Sequence, residues 1–130
     1  MDDVGHAQAA IDIEGSADAV WALVGDFGGI DAWMPGIESC RVDGANRILA
    51  MRGMEITEAL VGKDDATRTL TYAIVDGVPV EHHQGMVTVT PTEEGSHVTW
   101  DVDVTPEDMV GVMVGLYQQA LAALKKHVEG

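Results

Sequence analysis

Apolar and polar residues alternate from His6 to Glu14. Ala9, Ile11 and Ile13 fall between Ala10, Asp12 and Glu14, the two-residue period of a half-buried strand. Gly15 breaks the pattern. Ser16 is a good helix N-cap and Asp18 puts a negative charge in the first turn. Val20, Trp21, Leu23 and Val24 then predict a short amphipathic helix over Ala17–Val24, ended by Gly25 and the Gly28-Gly29 pair. A second short helical piece, Ile30–Met34, stops before Pro35, because proline disfavours helix in the residue preceding it.

From there the pattern predicts strands: Ile37–Val42, Arg47–Arg52, Glu55–Val61, Thr67–Val75, His82–Thr90 and His97–Val104. Asp43-Gly44, Gly53, Gly62-Lys63-Asp64-Asp65, Asp76-Gly77 and the polar stretch Pro91–Gly95 separate them. Short spans joined by tight turns make an antiparallel meander. The period then changes. Thr105-Pro106-Glu107-Asp108 reads as an N-cap, a first-turn proline and an acidic first turn. Met109, Val112, Met113, Leu116, Tyr117, Ala120, Leu121, Leu124 and Val128 recur at three- and four-residue steps, so a helix is expected over about Glu107–Val128. Its apolar stripe needs the sheet to cover it, which gives an α+β layer architecture.

Composition narrows the class. The 130 residues, 46% of them hydrophobic, suit a single ordered domain spanning 1–130. No apolar run approaches the ~20 residues of a spanning helix, so no membrane insertion is expected. The start Met1-Asp2-Asp3-Val4 is acidic and unlike a secretory signal, and a cytoplasmic protein is expected. A net charge of −15 disfavours phosphate backbones and anionic membranes, so no nucleic-acid partner is expected. Cys40 is the sole cysteine, which excludes an internal disulfide and any multi-cysteine metal site. No phosphate-binding glycine loop, nucleophile elbow or zinc-type His-Glu motif is present, and no cofactor is expected. His82 and His83 are adjacent on a strand, point to opposite faces and do not readily chelate one metal ion.

Several local motifs occur in a telling order. They are Val20-Trp21 in the first helix, Trp33-Met34-Pro35, Glu58-Ala59-Leu60, Asp64-Asp65, Leu70-Thr71-Tyr72 and Val98-Thr99-Trp100. Together they resemble the START/birch-allergen-like (Bet v 1-like, SRPBCC) superfamily, in particular its polyketide cyclase/dehydrase-like branch, over nearly the whole chain. The resemblance implies a helix-grip fold: a curved seven-stranded antiparallel sheet wrapped around the long C-terminal helix, with two short helices between the first and second strands. It also implies an internal cavity for a small hydrophobic molecule such as a polyketide, a lipid or an aromatic compound.

Strand parity then names the expected wall. His83, Gly85, Val87 and Val89 share a face, as do Leu70, Tyr72 and Ile74, and Val98, Trp100 and Val102. Glu38 goes with Cys40 and Val42, and Glu58 with Ile56 and Leu60. The resemblance implies that Glu38, Glu58, Tyr72 and His83 line the pocket, at positions matching those of plant hormone receptors. Where those receptors hold a lysine for an acidic ligand, this chain has Glu38, and where they hold a tyrosine it has His83. A carboxylate ligand in that pose is therefore disfavoured.

Two readings stand for Glu58. It is a general base working with His83 as acid/base partner, as an aldol cyclisation and dehydration would require, or it forms a structural ion pair with Arg47, Arg52 or Arg68. Tyr72 and Tyr117 supply orienting hydroxyls, or Tyr117 is a core tyrosine. Trp33, Met34, Met51, Trp100, Met109 and Met113 are the expected apolar walls, and the many methionines suit an adaptable cavity as well as ordinary core filling. The functions that remain open are a cyclase- or dehydratase-like enzyme, a non-catalytic carrier or sensor, and a protein-interaction, toxin-like role. A monomer or homodimer fits each.

Overall fold

A computed structural model describes residues 4–130; the acidic start Met1-Asp2-Asp3 lies outside them. Strand β1 (Gly5–Ile13) leads into helix α1 (Ala17–Val24), whose first turn is capped by the Ser16 hydroxyl accepting from the Ala19 N–H. A 3-10 segment, Phe27–Ala32, follows, earlier than the helical piece expected at Ile30–Met34. Six strands come next: β2 (Ile37–Asp43), β3 (Asn46–Met51), β4 (Met54–Asp64), β5 (Thr69–Asp76), β6 (His82–Thr92) and β7 (Gly95–Thr105). Helix α2 (Val110–Glu129) closes the chain.

All seven strands form one antiparallel sheet in the order β1-β7-β6-β5-β4-β3-β2. The meander from β2 to β7 brings its last strand beside β1, so the two ends of the chain share one edge of the sheet. Helix α2 packs on β1 and β7. Ala120, Leu121 and Leu124 are buried there with Ile13, Val98, Val102 and Val104. Among the described residues no helix is long and apolar enough to cross a membrane.

Most strand boundaries shift by one to three residues from the sequence reading, and two shifts have a clear local cause. Gly62 does not end β4. A bulge between Leu60 and Gly62 absorbs it, the strand runs on to Asp64, and the turn sits at residues 65–68. There the Asp64 carboxylate accepts from the Ala66 and Thr67 N–H groups. Thr105 does not cap the long helix: it ends β7, buried, and a 3-10 turn (Glu107–Met109) intervenes before α2 begins at Val110. Among the described residues no side chain caps that start.

Candidate functional site: an apolar pocket beneath the long helix

The lining contributed by α2 runs from Val112 to Gln119, in the N-terminal half of the helix, and faces lining from β3, β4, β5 and β7. The space between is a pocket of about 310 Å³. That is near the lower end of small-molecule sites, which run ~300–1,000 Å³. Leu49, Ile56, Tyr72, Ile74 and Trp100 line it from the sheet; Met109, Met113 and Tyr117 line it from the helix side. Methionines crowd its rim: Met34 before β2, Met51 and Met54 at the β3–β4 turn, and Met109. Met54, Val112 and Leu116 also line it while more than a third exposed, which marks them as its mouth.

The β3–β4 turn at this mouth is built from Arg52 and Gly53, both with positive φ (50° and 79°), the geometry of a two-residue hairpin. It sets the register Met51↔Met54, Leu49↔Ile56 and Arg47↔Glu58. The last pair is a buried ion pair. Arg47 is 2% exposed and Glu58 7%. The guanidinium reaches Glu58 Oε1 through Nε at 2.8 Å and through Nη2 at 2.7 Å. Arg47 also donates through Nη1 to the Phe27 carbonyl and lies over the Phe27 ring at 4.2 Å. Burial pushes the Glu58 carboxyl up, and the Arg47 charge and hydrogen bonds oppose it. Both guanidinium contacts fall on Oε1.

A second polar group sits among the aromatic residues. Trp100 and Tyr117 stack, with ring centres 4.2 Å apart and planes 7° from parallel. The Trp100 indole N–H donates to Tyr72 Oη at 3.0 Å, and Tyr72 donates to Tyr117 Oη at 3.0 Å. His83 Nε2 lies 2.9 Å from the same Tyr117 oxygen. On its other side His83 Nδ1 accepts from the Ile74 N–H at 3.1 Å, just beyond Tyr72↔Gly85, where the β5–β6 ladder ends. Burial, followed by the charge of His82, lowers the His83 pKa to about 4, so the ring is neutral near pH 7. Burial pushes both phenols up, so both stay protonated.

Of the expected site residues, Glu58, Tyr72, Tyr117, Met34, Met51, Trp100, Met109 and Met113 line this one pocket. Three do not. Glu38 points to solvent: a bulge between Ile37 and Ser39 breaks the strand parity, so Ile37, not Glu38, faces inward with Cys40. His83 does face inward, but it lies behind Tyr117, and both its nitrogens are engaged. Trp33 is buried and tilted against Trp100, ring centres 6.3 Å apart, so it backs the wall instead of forming it. Among the described residues its indole nitrogen has no partner. His82 is exposed on the opposite face from His83. Burial pushes the half-buried Cys40 thiol up, away from the reactive thiolate.

Of the three arginines offered as partners for Glu58, Arg47 is the one that pairs with it. It stands at the polar end of an inward row with Leu49 and Met51, and a two-residue turn at Arg52-Gly53 places it opposite Glu58 by counting alone.

The model of the family described as polyketide cyclase / dehydrase and lipid transport matches residues 5–129. The chain belongs to that family. Its fold is the SRPBCC type, shared with solved structures of the START/birch-allergen superfamily. An uncharacterised protein from Bacillus thuringiensis is 30% identical, with a TM-score of 0.91, over 97% of this chain and 100% of its own. A START superfamily protein from Mycobacterium smegmatis is 19% identical, with a TM-score of 0.78, over 95% and 97%. A point mutant of norcoclaurine synthase from Thalictrum flavum, in complex with a transition-state analogue, is 18% identical, with a TM-score of 0.74, over 98% and 96%. The last two likenesses concern the fold. No curated protein matches this member of the polyketide cyclase/dehydrase family.

Proposed function

We propose that this protein binds a small, uncharged, largely apolar molecule in the pocket beneath α2, as a carrier or sensor. The observation that carries the reading is the state of the pocket's polar groups. The Arg47 cation is already committed to Glu58 and to the Phe27 carbonyl, so it offers no free positive charge for an acidic ligand. The Glu58 carboxylate on the wall is paired to Arg47 and supplies no attraction for one either. What remains is apolar surface with two phenols, the usual composition of a small-molecule site.

Acid–base chemistry between Glu58 and His83 has less support. It needs both groups at one reacting centre. His83 is separated from the pocket by Tyr117, and its pKa of about 4 makes the imidazolium a minor species near pH 7.

The test is binding of the neutral fluorophore N-phenyl-1-naphthylamine to the wild type and to Val112→Trp. Residue 112 is 57% exposed at the mouth, so the indole can obstruct the entrance without disturbing the core. Saturable binding by the wild type, weakened at least tenfold in the variant, is expected. No binding, or equal binding by both, overturns the reading.

A further inference from the structure

Four protons meet at two phenolic oxygens in this pocket, and they do not all find acceptors there. The Trp100 indole can only donate, and its partner is Tyr72 Oη. The Ile74 N–H can only donate, so His83 Nδ1 must be the accepting nitrogen. A neutral imidazole with its lone pair at Nδ1 carries its proton on Nε2, and that proton goes to Tyr117 Oη. Tyr72 donates to the same oxygen. Tyr117 Oη therefore accepts twice, which uses both of its lone pairs. Its own proton has to leave in another direction. Among the described residues the acceptor within reach is the Met113 thioether, 3.9 Å away and a weak one. Tyr117 and Met113 both line the pocket.

We propose that Tyr117 is the specificity-determining donor of this pocket, and that it selects an uncharged ligand presenting a hydrogen-bond acceptor, namely a ketone, quinone or ester carbonyl. The inference rests on the ligand-binding reading above and names the class of ligand. Stacking on Trp100 fixes the plane of the Tyr117 ring, and the two incoming bonds fix the rotation of its hydroxyl. The donor is therefore set before a ligand arrives, which lowers the entropy lost on binding. An alcohol can also accept this proton, but its own O–H then has to reach the Glu58 carboxylate, the acceptor left on an otherwise apolar wall. A hydrocarbon leaves the Tyr117 proton on a thioether.

The experiment compares 2-acetylnaphthalene with its isostere 2-isopropenylnaphthalene by equilibrium dialysis. The proteins are the wild type and Tyr117→Phe. The ratio of ketone affinity to alkene affinity cancels the apolar contacts common to the two. It should fall about tenfold in Tyr117→Phe, while the alkene affinity itself changes little. The bound ketone's C=O stretch should shift to lower frequency in the wild type and not in Tyr117→Phe. If both compounds bind but the ratio is the same in wild type and Tyr117→Phe, the pocket stands and the directed proton is refuted. If neither compound binds the wild type, the ligand-binding reading has failed and this inference with it.

Discussion

The Tyr72 ring lies directly across Gly85 of the neighbouring strand. A Cβ built on Gly85 would sit 2.5 Å from Tyr72 Cζ and 2.7 Å from its hydroxyl oxygen. The missing side chain is what lets a tyrosine lie flat over β6 and carry its hydroxyl to Trp100 and Tyr117. Both residues also share the register pair Tyr72↔Gly85, the last of the β5–β6 ladder. Gly85→Ala is expected to cost about 1–3 kcal/mol by overpacking. It should also displace the Tyr72 hydroxyl from the network. Urea denaturation measures the first effect, and ketone-over-alkene preference the second. Wild-type stability in Gly85→Ala would show that the ring has room to move and that the close approach is incidental.

The two glycines in the first half of α2 present the opposite case. A Cβ on Gly111 or Gly115 would meet nothing within 4 Å. Each lies inside a regular helix, where glycine costs about 1 kcal/mol relative to alanine. Gly111→Ala and Gly115→Ala should therefore each raise stability by about 0.5–1 kcal/mol and add when combined. Amide exchange at residues 110–117 should slow in parallel. A variant that loses stability would reveal a packing or ligand-entry requirement that open space around the backbone does not show.

The fold was legible because its signals are local and repeated. Parity along β6 and β7 placed Val87, Val89, Val98, Trp100 and Val102 inside, and they are buried. The long apolar stripe placed Tyr117 and Met113 on the inner face of α2. Parity failed where a bulge adds one residue, because the extra residue puts the side chains on its two sides out of phase. That is why Glu38 faces solvent. His83 shows a different limit. Its inward direction could be read from alternation, but its depth depends on Tyr117, contributed by an element more than thirty residues away. The Arg47–Glu58 pair needed the turn type as well as the parity, since register across a hairpin follows from the two residues at its tip.

That pair makes a sharp stability prediction. Breaking a buried ion pair from one side leaves a charge without compensation and typically costs 3–5 kcal/mol. Glu58→Leu should fall in that range. Arg47→Met should cost more, because it also frees the Phe27 carbonyl and removes the contact with the Phe27 ring. The double variant Arg47→Met/Glu58→Leu should be much less destabilised than the sum of the two. Denaturant unfolding of all four proteins gives the coupling directly. Simple additivity would mean that the two side chains do not stabilise each other despite their 2.7 Å contact.

The last prediction concerns pH and follows from the depth of His83. Its folded-state pKa is lowered from 6.5 to about 4, first by burial and then by the His82 charge, with Asp103 opposing. Above pH 6.5 both folded and unfolded chains hold the ring neutral, so the group contributes no pH dependence. Between pH 6.5 and 4 the unfolded chain binds a proton that the folded chain refuses. Stability from this group therefore falls as pH drops through that window and levels off below it. Glu58 works in the opposite sense: its raised folded-state pKa favours folding as pH falls toward 4.5. The comparison must therefore cancel it. Urea midpoints of wild type and His83→Gln at pH 7, 5.5 and 4 do so, because Glu58 is common to both. The wild type should lose stability relative to His83→Gln as pH falls, whatever the offset between them at pH 7. A constant difference across the three pH values would show that the buried ring takes up its proton as readily as the unfolded chain does, in conflict with an Nδ1 that accepts from the Ile74 N–H.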